Sequence, residues 1–218
     1  MADTVVNTSR APSVNTDRLA FAPLTADTDS TLTYGDVVEI SKASISVSRT
    51  PKMNSSKMYA SGQVVASYVA KAGGQLQITM PSLDNSDEVL LFGKSYDAAT
   101  KTVTNNKDDY VPAVMAIYST DRADGTKNLY KVMKVKFAEG AENVETSDDS
   151  GTKFQSVQIS GDYEQLIKNG DDVIVLRGVD PTTEDGKALI SAWFGSALGG
   201  LPAGHYPTTP TNTEEQGG

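Results

Sequence analysis

The sequence predicts a mainly β fold: an antiparallel β-sandwich or barrel flanked by one or two short helices. Three observations carry that expectation. Apolar and polar residues alternate with period two in several runs, as they do on half-buried strands. Eighteen glycines, together with abundant Ser, Thr, Asn and Asp, supply turns at close intervals. Only two stretches carry paired helix start and stop signals.

Along the chain, residues 1–30 are polar, rich in Thr and Asp and without a sustained period, which predicts a flexible N-terminal arm. A single β domain is expected over 31–200. In "SKASISVSRT", Ala43, Ile45 and Val47 alternate with Ser44, Ser46 and Ser48. The run "GQVVASYVA" sets Val65 and Val69 against Val64, Ala66 and Tyr68, and "GGQLQITM" sets Leu76, Ile78 and Met80 against Gln75, Gln77 and Thr79. A first helix is predicted in "SLDNSDEVLLFGKS", capped by Asn85 or Ser86 and stopped at Gly93. "VPAVMAIYST" and "NLYKVMKVKF" flank an Asp124–Gly125 hairpin turn, and "KFQSVQIS" and "DDVIVLRGV" add two strands. A second helix is predicted in "DPTTEDGKALISAWFGSALGG", capped by Thr182 or Thr183 and ended before Gly199. Its residues Leu189, Ile190, Trp193, Phe194 and Ala197 fall on one face. Residues 201–218 have the Pro/Thr/Gly composition of a disordered tail.

Composition narrows the function. The absence of cysteine excludes disulfides, thiolate metal sites and cysteine nucleophiles. No apolar run reaches the length of a membrane span, and the first residues lack a signal-peptide core, so a cytosolic start is expected. A pI near 4.6 opposes phosphate-driven DNA binding. The lone His205 sits in the tail without a rigid partner to set its tautomer. The acidic pairs Asp108–Asp109, Asp148–Asp149 and Asp171–Asp172 adjoin turn residues, and neighbours on a strand face opposite ways. "DRADGTKN" lacks the alternating ligands and closing Glu of a calcium loop, and "GSALGGLPAG" lacks the Lys-Ser/Thr of a phosphate loop. Neither catalysis, nor a metal, nor a cofactor is expected.

Charge placement stands out. Between Glu39 and Asp84 lie Lys42, Arg49, Lys52, Lys57 and Lys71 and no acid, although the whole chain carries −9. Removing those five positive charges leaves the remainder at −14. Residues 138–152 are the counterpart, with Glu139, Glu142, Glu145, Asp148 and Asp149 and no base. A loop that long between strands is uncommon without a function. Arg49, Lys52, Lys57 and Tyr59 on one segment, and these five acids on the other, are therefore the candidate contact residues.

The stretch "LTYGDVVEISKASISVSRTPKMNSSKMYASGQVVAS" resembles the N-terminal core of the major tail proteins of long, flexible-tailed bacteriophages. Tyr34–Gly35 matches a Tyr-Gly step into a strand, and Tyr59–Ala60 with Gly62 matches a later Tyr-Ala-x-Gly segment. The order of short helix, hairpin, Lys-rich strand, acidic loop and Phe-Gln strand follows, and "AWFGSAL" is similar to that family's Trp-Phe segment. Phe92 interrupts the family's Leu-Leu-Gly step, and Ser61 stands where an acid is usual.

The resemblance spans about residues 31–198 and implies a tail-tube β-sandwich that forms hexameric rings stacked into a hollow tube. It implies a long loop at residues 48–62, tape-measure, terminator and baseplate partners, DNA passing through the lumen without specific binding, and a place in the virion tail after assembly in host cytoplasm. The alternatives are a β-sandwich binding module, such as an adhesin or carbohydrate-binding domain, and a related bacterial secretion-tube protein.

Overall fold

A computed structural model describes residues 11–41, 46–60, 63–105, 110–140 and 156–201. The fold is mainly β and antiparallel with two short helices, as the sequence predicts. In chain order come β1 (Ser13–Asp27), β2 (Leu32–Tyr34), β3 (Val38–Ser41), β4 (Ser46–Ala60), β5 (Gln63–Met80) and α1 (Asn85–Phe92). There follow β6 (Ser95–Asp97), β7 (Thr102–Thr104), β8 (Val114–Arg122), β9 (Lys127–Ala138), β10 (Val157–Tyr163), β11 (Val173–Val179) and α2 (Glu184–Gly195).

Hydrogen-bonded neighbours run β3, β1, β8, β9, β10, β5, β4, and β4 opens at Ser46, soon after β3 closes at Ser41. The sheet thus curls back towards its own start. Inside lies one core, built from Leu19 and Phe21 of β1, Leu76 and Ile78 of β5, Val135 and Phe137 of β9, and Ile159 and Tyr163 of β10. Phe21 meets Phe137 edge to face at 5.5 Å, the geometry favoured by the ring quadrupoles. Leu91 and Phe92 of α1 pack against this core.

A second core lies on the other face of β1, β8 and β9. There Ala20, Ala22, Met115, Ile117, Leu129 and Met133 meet Trp193 and Phe194 of α2. The central strands are therefore buried on both sides. This corrects the expectation of a flexible arm over residues 1–30: Ser13–Asp27 is a central strand, pairing with β8 from Ser13 to Pro23. The physical reason is that "LAFA", residues 19–22, is a continuous apolar run, the pattern of a strand covered on both faces. Residues 1–10 and the tail beyond 201 lie outside the described residues.

The two helices start as capped elements. Asp84, not Asn85 or Ser86, is the N-cap of α1, and the Asp87 carboxylate accepts its backbone N–H at 3.0 Å. Burial holds the Asp87 carboxyl above its ordinary value. Thr183 caps α2, its hydroxyl accepting from the Gly186 N–H at 3.1 Å. The helix closes at Ser196, earlier than the predicted end before Gly199. The Asp124–Gly125 turn joins β8 to β9 as expected, with Asp124 Oδ1 accepting the Thr126 N–H at 3.1 Å. Among the described residues no helix is long and apolar enough to cross a membrane.

One buried cation fastens α2. The Lys131 amine is fully buried and donates to the carbonyl oxygens of Ser196 (3.2 Å), Ala197 (2.7 Å) and Gly199 (2.7 Å), with Nζ 4.6 Å from the centroid of the Trp193 ring. These carbonyls follow the helix C-terminus, where a cation is favoured. Burial nevertheless pushes Lys131 down to about 7. An unfolded lysine titrates near ~10.4, so between the two values the unfolded chain holds a proton that the folded chain sheds. The contribution of Lys131 to stability therefore rises from pH 7 towards pH 10. Lys131→Met removes that rise. Urea denaturation at several pH values is expected to show the stability of wild type, relative to the variant, rising by about 3–4 kcal/mol across this range. A constant difference would contradict it.

Candidate functional site

The candidate site is a projecting two-stranded arm. β4 and β5 pair along their whole described length, but the ladder has two parts. From Ser46–Thr79 to Pro51–Gly74 it belongs to the barrel, where β10 pairs with β5 from Gly74 to Met80. From Met53–Lys71 onward, among the described residues no strand pairs with the outer edge of either. Eight residues of β4, Met53–Ala60, thus reach about 25 Å beyond the body at the usual strand rise.

This corrects two expectations. Residues 48–62 are not a long loop: Ser46–Ala60 is strand. The predicted strands "GQVVASYVA" and "GGQLQITM" are one continuous strand, β5. The segment "RTPKMNSSK" lacks apolar alternation because neither side of the arm is buried, so its strand pattern is not apparent. The "QVVASYVA" run, opposite it and free of charge, is the signal of a paired strand.

The elbow is built from a register shift and two glycines. Pairing shifts between Pro51 and Met53, where Lys52 alone stands against Ala72 and Gly73, so β5 carries the extra residue that bends the ribbon. Gly73 has φ +74°, and a Cβ there would lie 2.0 Å from the Tyr163 carbonyl oxygen. Its neighbour Gly74 is as confined, for a Cβ there would lie 2.4 Å from the Thr50 carbonyl oxygen. Only glycine satisfies these conditions.

Residues directly opposite one another share a face of the ribbon. One face carries Met53–Lys71, Ser55–Val69 and Lys57–Ser67; the other carries Asn54–Ala70, Ser56–Tyr68 and Met58–Ala66. The first is basic and partly apolar, whereas the second is uncharged. Met53, Met58, Tyr59, Val65, Tyr68 and Val69 are all exposed, Tyr68 to 71%. A lone two-stranded ribbon is marginal in water, and its open edges invite pairing.

The expected contact residues divide. Arg49 belongs to the base of the arm: its Nη1 donates to the Tyr163 hydroxyl at 3.2 Å. It also lies near Tyr118, which stacks on Tyr130 with ring centroids 4.6 Å apart. Burial pushes the Tyr118 phenol up to about 12, against the opposing pull of Arg49. Lys52 pairs with Asp162 of β10 at 2.7 Å, an exposed bridge worth about 0–1 kcal/mol. Lys57 and Tyr59 stand on the projecting part, and among the described residues Lys57 has no ion-pair partner.

Glu139 is exposed but already paired within its own chain. With Glu88 (3.0 Å) it holds the Lys94 amine, at 2.5 Å. Burial opposes the Lys94 charge, and the two carboxylates outweigh it, holding the amine above its ordinary pKa. Glu142, Glu145, Asp148 and Asp149 lie outside the described residues, as does His205.

A concavity of about 460 Å³ lies beside the end of α2. Its Tyr34 hydroxyl donates to the Met133 carbonyl and its Lys168 amine to the Ser30 carbonyl. Both groups serve the fold. Among the described residues no three His, Cys, Asp or Glu side chains gather to hold a metal. No protein-family model matches the chain, and no curated protein matches it.

Proposed function

We propose that this chain is the subunit of a self-assembling tube of the kind built by major tail proteins of long, flexible-tailed phages: hexameric rings stacked into a conduit for DNA. The observation that supports it is the arm, a ribbon of about 25 Å with both faces and both edges free among the described residues, carried on a doubly covered barrel. A stacked polymer needs two different surfaces on each subunit, and such an interface propagates instead of closing. The arm supplies one surface, basic on a single face; the acidic remainder of the chain supplies the other. The partner is a second copy, joined at the tube ends by terminator, baseplate and tape-measure proteins. A chain of net charge −9 suits a lumen that DNA crosses without sticking. The place of the assembly is the virion tail.

Lys57 and Lys71 share the basic face and stand clear of the body, unlike Arg49 and Lys52. Lys57→Glu with Lys71→Glu is expected to raise the protein concentration needed for assembly by about tenfold or more. Sedimentation velocity measures this against wild type. Circular dichroism and denaturation of the monomer are expected to change by less than about 0.5 kcal/mol. Assembly at an unchanged concentration would remove the charged face from the contact.

A further inference from the structure

We propose that Met53 and Met58 form a peroxide-reactive modification site through which oxidation switches off docking of the arm. The inference rests on the assembly reading above for its consequence, though not for its chemistry.

The described methionines fall into two groups. Met53 and Met58 are each 63% exposed, whereas Met80 is 2% exposed and Met115 and Met133 are fully buried. Both exposed ones lie on the projecting part of β4, and the strand pairing puts them on opposite faces. Met53 lies across from Lys71 and diagonal to Val69; Met58 lies across from Ala66 and diagonal to Tyr68. Each face of the ribbon therefore carries one thioether beside an exposed apolar or aromatic side chain. Methionine suits such a surface, being flexible, polarizable and able to fill irregular gaps in a partner.

The reaction needs one co-reactant, hydrogen peroxide. A sulfur lone pair attacks the distal peroxide oxygen, the O–O bond breaks and an S–O bond forms. The departing hydroxide takes up the proton from the transferred oxygen and leaves as water. Sulfur is oxidised by two electrons to the sulfoxide while the peroxide is reduced. The product replaces an apolar group with a polar, hydrogen-bond-accepting one and disrupts methionine-containing interfaces. Because both faces carry a target, no docking orientation of the arm escapes the change. The barrel keeps its own methionines out of reach, so its fold survives.

Limited hydrogen peroxide treatment of the full chain, followed by peptide mass mapping, reads the site. Met53 and Met58 are expected to gain one oxygen about tenfold faster than Met80, Met115 and Met133. Equal rates would overturn the site. Oxidised wild type is expected to lose assembly while keeping its circular dichroism. The Met53→Leu with Met58→Leu variant, which keeps an apolar side chain of similar volume, is expected to assemble before and after the same treatment. Oxidised wild type that assembles normally would overturn the switch and leave the function reading standing. Untreated protein that never assembles would overturn the function reading and the switch together, while the reactivity map still decides the site.

Discussion

Excising the arm is expected to abolish assembly while leaving the monomer folded. Replacing residues 53–71 with Asn-Gly removes the free ribbon and leaves a five-residue connection between Pro51 and Gly74, the last pair of the barrel ladder. Neither core loses a residue, because the buried clusters draw nothing from 53–71. The variant should therefore unfold within about 1 kcal/mol of wild type in urea. It removes the exposed Met53, Met58, Tyr59, Val65, Tyr68 and Val69, the apolar surface of the arm. Sedimentation and electron microscopy should then find only monomer at concentrations where wild type polymerises. An excised chain that still forms tubes would transfer the contact to the body.

Gly73→Ala is expected to cost about 3 kcal/mol of stability, the sum of two terms. The left-handed conformation at φ +74° costs an L side chain about 1–2 kcal/mol. The new Cβ would also sit 2.0 Å from the Tyr163 carbonyl oxygen, a backbone atom that cannot rotate away, and such overpacking costs about 1–3 kcal/mol. Gly125→Ala separates the terms. Gly125 has φ +80°, and a Cβ there would meet nothing within 4 Å, so it should cost only the conformational part, about 1 kcal/mol. Urea denaturation of both variants measures the difference, and equal costs at the two sites would show that the elbow yields without strain. Because β10 and the arm meet at this residue, Gly73→Ala should also alter the direction in which the arm leaves the barrel and so impair assembly.

The strands legible in the sequence are those with one dominant environment. β8, β9 and β11 stand where "VPAVMAIYST", "NLYKVMKVKF" and "DDVIVLRGV" place them, and the Thr183 cap and the buried Trp193 also read directly. β1 is hidden because Leu19 and Phe21 pack inward while Ala20 and Ala22 pack under α2. A strand buried on both faces shows no alternation, and its polar flanks give it the composition of an arm. The projecting part of β4 is hidden for the opposite reason: with both faces in water, Asn54, Ser55, Ser56 and Lys57 carry no burial pattern at all.

The charge anomaly between Glu39 and Asp84 marks the right segment, yet charge says nothing about shape. Arg49 and Lys52, expected as contacts from charge alone, are tied to Tyr163 and Asp162 on β10. Glu139 is likewise held by Lys94. What distinguishes Lys57 from these is its position beyond the elbow, which depends on Gly73 and a register shift, and neither announces itself in composition.

Negative-stain electron microscopy of the purified full chain, concentrated at low ionic strength, tests the central claim most directly. The arm-mediated account predicts stacked rings or hollow tubes of uniform width that shorten as salt is raised. A monodisperse, compact monomer at every concentration and ionic strength would contradict it.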